Sequence, residues 1–300
     1  MRDSLALGSL LAILAAIALT TMNVFVKLIG TAIPIYEIIW LRFLIGLVLM
    51  LFIILSRGRF NFTLHNPIKF LLRTITALLG MSLLFMAVQK TSLPEALLLA
   101  NTTPLIVPIF AFILTKAKMT KLGIIGNIIG FIGVGIALDL HSSVINVGAL
   151  LAFASAFFVA ISIIQIRLLG KTMDTMSMLF YYFLMSSIIT SPFCLIKIVI
   201  PQSTNIIILL VLIGIVGSIY QLCSTLSYKF APVRLTTPIS YLNVLLGGVF
   251  EWLIWKQTPS SSFLIGCSII LVGIWITIYF GKSSSSQDRE SYPSSGITFH

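Results

Sequence analysis

The sequence predicts an all-α integral membrane fold of ten transmembrane helices, arranged as two inverted five-helix repeats. Three observations carry that prediction. Hydrophobic residues make up 58% of the 300-residue chain and charged residues 9%, with a mean hydropathy of +1.11, which no soluble domain of this length shows. The apolar residues gather in ten long runs, near the length of about 20 residues that crosses ~30 Å of hydrocarbon. Finally, Gly8 to Leu44 lie over Gly148 to Leu184 at one gap-free offset of 140.

At that offset Gly8, Leu10, Leu11, Ala12 and Ala16 meet Gly148, Leu150, Leu151, Ala152 and Ala156, and Lys27, Leu28 and Gly30 meet Arg167, Leu168 and Gly170. The register returns where Phe110, Lys116, Gly126, Gly133 and Ile136 meet Phe250, Lys256, Gly266, Gly273 and Ile276. The predicted organisation is therefore a first repeat over 1–140, a second over 141–281 and a disordered cytoplasmic tail over 282–300. That tail is rich in Ser with Gly, Pro and mixed charges, and buries too little apolar surface to order itself. A transmembrane β-barrel would instead show short alternating strands.

Span 1 (5–29) follows Arg2 and is longer than the core of a removable signal, which would precede a small-residue cleavage site. Its Thr20, Asn23 and Lys27 recur at spacings of three and four, on one helix face. Span 2 (35–55) carries Glu37 and Arg42, and span 3 (68–89) carries Arg73. Span 4 (94–114) contains Asn101-Thr102-Thr103-Pro104 and Pro108, whose missing N–H groups free the carbonyls of Ala100 and Pro104 and predict a kinked, polar middle. Span 5 (121–138) is punctuated by Gly126, Gly130 and Gly133, which allow close helix approach or a dimer seam. Span 6 (147–168) ends near Gln165 and Arg167, and span 7 (175–199) follows. Span 8 (205–228) sets Tyr220, Ser224 and Tyr228 four residues apart beside Gln221. Span 9 (232–255) places Thr236, Ser240 and Asn243 on one face near Pro238, and span 10 (260–281) repeats the glycines as Gly266 and Gly273.

Sorting the loops gives 13 Lys and Arg on the side of the N-terminus and four on the other, with Arg42 and Arg73 inside spans. Lys- and Arg-rich loops stay in the cytoplasm, so both termini are expected inside a bacterial inner membrane. The formal charge of +11 is then a topology signal directed at anionic lipid headgroups, and no nucleic-acid partner is expected. Five spans per repeat, an odd number, makes the second copy enter from the opposite face. Inverted repeats support two alternative states around a midplane site, the architecture of a transporter.

The two five-span halves, the closing Gly-rich spans, Glu37 with Arg42-Phe43, Leu72-Arg73 with Gly80, Gly217-Ser218 with Gln221-Leu222, and Ala231-Pro232 together resemble the drug/metabolite transporter superfamily, in its EamA-type members. Such proteins often carry Glu just after the fourth and ninth spans, where this chain has Lys116 and Lys256. Met176-Ser177-Met178-Leu179-Phe180-Tyr181 and Gly80-Met81-Ser82 look most like the S-adenosylmethionine transporters of obligate intracellular bacteria. The resemblance implies a carrier and leaves the substrate open, because the superfamily also holds amino-acid, nucleotide-type and drug exporters.

Polar groups among lipid tails are costly and face a cavity or another helix. The expected substrate-binding residues are Asn23, Arg42, Asn101, Thr103, Tyr220, Gln221, Ser240, Tyr241, Asn243 and Glu251. Asn101 and Thr103 superpose on Tyr241 and Asn243 in the repeat, giving two pseudo-symmetric patches. Arg42 and Arg73 are candidates to bind a carboxylate or phosphate, to pair with Glu37 or another acid, or to snorkel. For S-adenosylmethionine, the adenine would use Tyr220, Gln221 and Tyr241, the carboxylate Arg42, and the positive centres the aromatic faces or Glu251. The alternatives are an amino-acid or drug exporter and, from another class, a membrane enzyme or scramblase. His65, His141 and His300 fall in loops or the tail and Cys194, Cys223 and Cys267 are isolated, so no metal, cofactor or catalytic constellation is expected. The expected partners are a small-molecule substrate and the bilayer, for a monomer or homodimer.

Overall fold

The computed structural model describes residues 2–57, 66–115, 120–137, 146–170, 172–196, 198–199, 201, 203–230 and 239–280, and the regular structure among them is helical. In chain order it comprises α1 (Arg2–Ile29), α2 (Ile35–Arg57), α3 (Pro67–Lys90), α4 (Leu93–Ala100), α5 (Thr103–Thr115), α6 (Lys121–Ala137), α7 (Val147–Leu169), α8 (Thr175–Ile196) and α9 (Thr204–Phe230). The last elements are α10 (Leu242–Phe250), continued by a π-turn over Glu251–Trp255, and α11 (Ser261–Phe280). The expectations for Lys116, Pro232, Thr236, Pro238 and the 282–300 tail lie outside the described residues.

Six stretches are long and apolar enough to cross a membrane: Ala6–Ile29, Ile35–Ser56, Pro67–Lys90, Val147–Ile166, Thr175–Cys194 and Thr204–Tyr228. Leu93–Val107, Lys121–Ala137, Leu242–Trp255 and Ser261–Thr277 are apolar but shorter. Many large apolar side chains face outward, among them Phe52, Leu55, Ile128, Ile188, Leu245 and Trp275, which is ordinary against lipid and costly against water.

The fourth expected span is broken in two. Pro104 offers no N–H to the Ala100 carbonyl and disfavours helical geometry in the residue before it, so α4 stops at Ala100 and α5 restarts at Thr103. A side chain satisfies the freed carbonyl, with Thr103 Oγ1 donating to Ala100 O at 3.0 Å, and Thr102 Oγ1 donates to the neighbouring Leu99 O at 2.6 Å. This placement of hydroxyls lets a polar break persist inside an apolar helix. Tyr241 occupies the matching turn before α10.

Lipid gives helices no hydrophobic reason to associate, so close packing decides the arrangement. α1 runs along α9, α3 along α7, and α6 along α11, while α2 lies against both α8 and α9. One core cluster gathers Met22, Val26, Ile38, Phe43, Phe70, Phe85 and Phe183, and another Ala87, Leu93, Leu97, Leu99, Val134 and Ile270. At the α6–α11 contact a Cβ on Gly126 would lie 2.7 Å from Thr277 N, and one on Gly266 would lie 2.6 Å from Ala137 N. Those glycines join two helices of a single chain, so they do not form the free dimer seam that was the other expectation for them.

Candidate functional site

A cavity of about 380 Å³ lies inside the bundle. α1 contributes Ala12, Ala16, Leu19 and Met22, one stripe of small and flexible side chains at helical spacing. α3 adds Arg73, Gly80, Met81 and Leu84, α7 adds Ser162 and Ile166, and the second half of α9 adds Tyr220, Gln221, Ser224 and Tyr228. The wall is mostly apolar with a few convergent polar groups, the usual constitution of a small-molecule site.

Seven of the ten expected site residues reach this wall: Arg42, Asn101, Thr103, Tyr220, Gln221, Ser240 and Asn243. The break between α4 and α5 turns Asn101 and Thr103 toward it. Asn23, Tyr241 and Glu251 are not among the lining residues. Asn23 is fully buried and donates from Nδ2 to Leu19 O at 2.8 Å, one turn back in its own helix. Tyr241 stands behind the wall, where its hydroxyl donates to Asn101 O at 2.8 Å. The two positions that the sequence repeat superposes thus touch each other.

Glu251 lies at the other end of α1. Lys27 Nζ donates to both of its carboxylate oxygens, at 2.6 and 2.8 Å, and to Thr91 O at 3.2 Å. The Leu93 N–H donates to Glu251 Oε2 at 3.1 Å, and the Trp255 ring centroid is 4.7 Å from Lys27 Nζ. Beside this pair Asn146 Nδ2 donates to Thr91 Oγ1 at 2.9 Å and to Glu95 Oε1 at 3.1 Å. Glu251 also borders a second, smaller pocket with Glu95 and Phe263. This polar knot ties α1, α4, α7 and the π-turn together beyond the last lining residue of α1, Met22.

The pairing of Arg42 with Glu37 or Glu251 does not form. Glu251 is engaged by Lys27, and Glu37 accepts from the Val199 N–H at 3.1 Å. Arg42 and Arg73 are each 1% exposed and both belong to the cavity wall, so neither snorkels to a surface. Arg42 touches Met81 Sδ, donates to Gly217 O at 3.5 Å and lies 4.9 Å from the Phe43 ring centroid. Arg73 lies 4.2 Å from the centroid of Tyr182 and 5.4 Å from that of Phe70. Arg42 Nε and Arg73 Nε and Nη1 have no hydrogen-bond partner.

Tyr182 was missed by sequence reasoning, because it sits in the run Phe180-Tyr181-Tyr182-Phe183, which reads as aromatic packing and in which nothing sets it apart from Tyr181. Asn127 was missed too: it donates to Leu105 O at 2.9 Å and accepts from Thr277 Oγ1 at 3.2 Å, joining α6, α5 and α11. No residue of the Met176–Tyr181 stretch lines the cavity, and Met178, Leu179 and Phe180 are buried in the core. Among the described residues no cluster of His, Cys, Asp and Glu could hold a metal ion.

The chain matches the EamA-like transporter family twice, over residues 6–138 and 146–279. It is similar to the pseudopaline exporter CntI of Pseudomonas aeruginosa (strain UCBPP-PA14), at 24% identity over 90% of this chain and 95% of that protein. It is similar to the S-adenosylmethionine uptake transporter of Rickettsia prowazekii, at 24% identity over 93% and 95%. Similarity to the riboflavin transporter of Vibrio cholerae is 22% identity over 73% and 74%. A protein crystal structure superposes with a TM-score of 0.67, covering 92% of this chain and 98% of that one at 20% identity, which is a likeness of fold.

Proposed function

This chain belongs to the EamA-like transporter family, and from that premise we propose that it moves a small polar metabolite across the bacterial inner membrane by alternating access. It is a transporter and not an enzyme, as its family is. The observation that carries the mechanism is a cavity walled by helices of both family-matching halves, with a tied end beyond Met22.

The ten-span, inverted-repeat reading is supported by how the helices pair. The offset of 140 converts α1 into α7 and α9 into α3, and the contacts α1–α9 and α3–α7 are exchanged by it. The pair α2–α9 and its counterpart α8–α3 are unequal: the first is extensive and the second slight. A carrier resting in one of two pseudo-symmetric states has this inequality, and its other state reverses it. With both termini cytoplasmic, the cavity faces the cytoplasm and the Lys27–Glu251 knot closes the outer side.

The site proposed for the substrate comprises Arg42, Asn101, Thr103, Tyr220, Gln221, Ser240 and Asn243 in the wall, with Asn23 and Tyr241 supporting it from behind. Glu251 takes the role of outer closure. S-adenosylmethionine belongs in the panel to test, since similar proteins carry that name and the wall offers aromatic and amide groups.

Uptake of a labelled metabolite panel into proteoliposomes, with and without internal counter-substrate, tests the reading. Saturable movement of one compound is expected, with trans-stimulation if the carrier exchanges. Chemical conversion without movement, or no movement of any compound, would overturn it.

A further inference from the structure

Resting on the carrier reading above, we infer that the cavity is built for a substrate bearing two anionic groups, received separately by Arg42 and Arg73 on either side of Tyr182. A guanidinium stays charged in a protein, and removing it from water is expensive unless an anion meets it. Here two of them stand in one cavity wall, each 1% exposed. Among the described residues neither has a carboxylate partner. Of the acids whose side chains are described, Glu37 accepts from Val199 N, Glu95 from Asn146, Asp174 from Met176 N, and Glu251 from Lys27.

What surrounds the arginines orients them without neutralising them. The faces of Phe43, Phe70 and Tyr182 hold the guanidinium planes by their ring quadrupoles. The phenol of Tyr182 also reaches Arg42, so one tyrosine side chain separates the two cations. Gly217 leaves the space that Arg42 occupies, since a Cβ there would overlap Arg42 Nε. Among the described residues, buried donors remain unpaired on both: Nε of Arg42, and Nε and Nη1 of Arg73. Turned into the cavity that both side chains line, an unpaired guanidinium edge fits the paired oxygens of a carboxylate or phosphate.

S-adenosylmethionine has one carboxylate and two positive centres, and would meet two cations with no acid among the described lining residues. A metabolite with two carboxylates, or a carboxylate and a phosphate, answers both arginines. Its apolar part would lie on the Ala12, Ala16 and Met22 stripe of α1.

The experiment is ligand-induced thermal stabilisation of the purified full chain in detergent. The probes are S-adenosylmethionine, glutamine, glutamate, glutathione and 3-phosphoglycerate, applied to wild type, Arg42→Gln, Arg73→Gln, Arg42→Lys and Arg73→Lys. At least one two-anion probe is expected to stabilise wild type, glutamate above glutamine, with affinity falling about tenfold or more in each Gln variant and less in each Lys variant. Elution as a single species and cooperative unfolding check that each variant folds, and the Lys variants keep the charge if a Gln variant does not. Preference for S-adenosylmethionine, no stabilisation by any two-anion probe, unchanged affinity in both Gln variants, or dependence on one arginine alone would overturn the inference. Proteoliposome uptake separates the two claims: two-anion binding without movement sinks the carrier reading and leaves the arginine assignment standing. Saturable movement indifferent to both arginines does the reverse.

Discussion

Lys27 and Arg42 are both cations within the helical bundle, and they are treated in opposite ways. Lys27, 14% exposed at its side chain, is met by both oxygens of Glu251 and by the Thr91 carbonyl. Arg42, 1% exposed, has a thioether, one long carbonyl contact, the Tyr182 phenol, aromatic neighbours and a buried, unpaired Nε. The more deeply buried cation is the one without a counterion among the described residues, the reverse of what stability alone would select. A charge that holds helices together is matched atom by atom. A charge left unmatched in a cavity wall is reserved for something that arrives.

The largest test of that contrast is Glu251→Gln. It strands Lys27 and should cost about 3 kcal/mol, the lower end for a broken buried pair because Lys27 keeps some exposure. Thermal unfolding in detergent would read this as a lower melting temperature, largely restored in Lys27→Met with Glu251→Leu. A melting temperature unchanged by Glu251→Gln would make the pair decorative.

Next is Gly217→Ala, whose methyl overlaps Arg42 Nε and approaches Met22 Sδ to 3.0 Å. It should destabilise by about 1–3 kcal/mol and reduce transport. Gly248→Ala, with nothing within 4 Å of the added carbon, should be neutral or favourable by up to ~1 kcal/mol, through helix propensity. Equal effects at the two glycines would remove the argument that Gly217 makes room for Arg42.

Tyr241→Phe deletes the hydrogen bond to Asn101 O and should cost about 0.5–1.5 kcal/mol in the same assay. Smallest in stability is Arg73→Met, which removes an uncompensated buried charge. Its melting temperature should be unchanged or higher while substrate binding is lost. A marked drop in stability would place Arg73 with Lys27 as a structural cation.

The helices were legible because hydrocarbon thickness forces long apolar runs, and outside the expected fourth and ninth spans the described helices begin and end close to those runs. The break at Asn101-Thr102 was legible through Pro104, a purely local backbone effect. The partners of the charges were not legible. Lys27 and Glu251 are 224 residues apart in sequence, and only packing of α1 against the α10 region brings them together. Arg42 could be placed at depth by counting turns, yet its missing counterion depends on where every acid ends up. Tyr182 was invisible because the pattern of an apolar helix does not tell which face looks into a cavity. The stretch Met176–Tyr181, which carried the likeness to one substrate class, packs in the core instead of the wall.

The central claim is that one cavity is reached alternately from two sides, with the Lys27–Glu251 pair biasing which. Its most direct test is the reaction of Ser224→Cys with a membrane-impermeant thiol reagent applied from either face, in a background where Cys194, Cys223 and Cys267 are replaced by Ala. Labelling should be fast from the face bearing the N-terminus and slow from the other, and Glu251→Gln should raise the slow rate and lower the fast one. Labelling from one face only, at a rate indifferent to Glu251→Gln, would contradict the account.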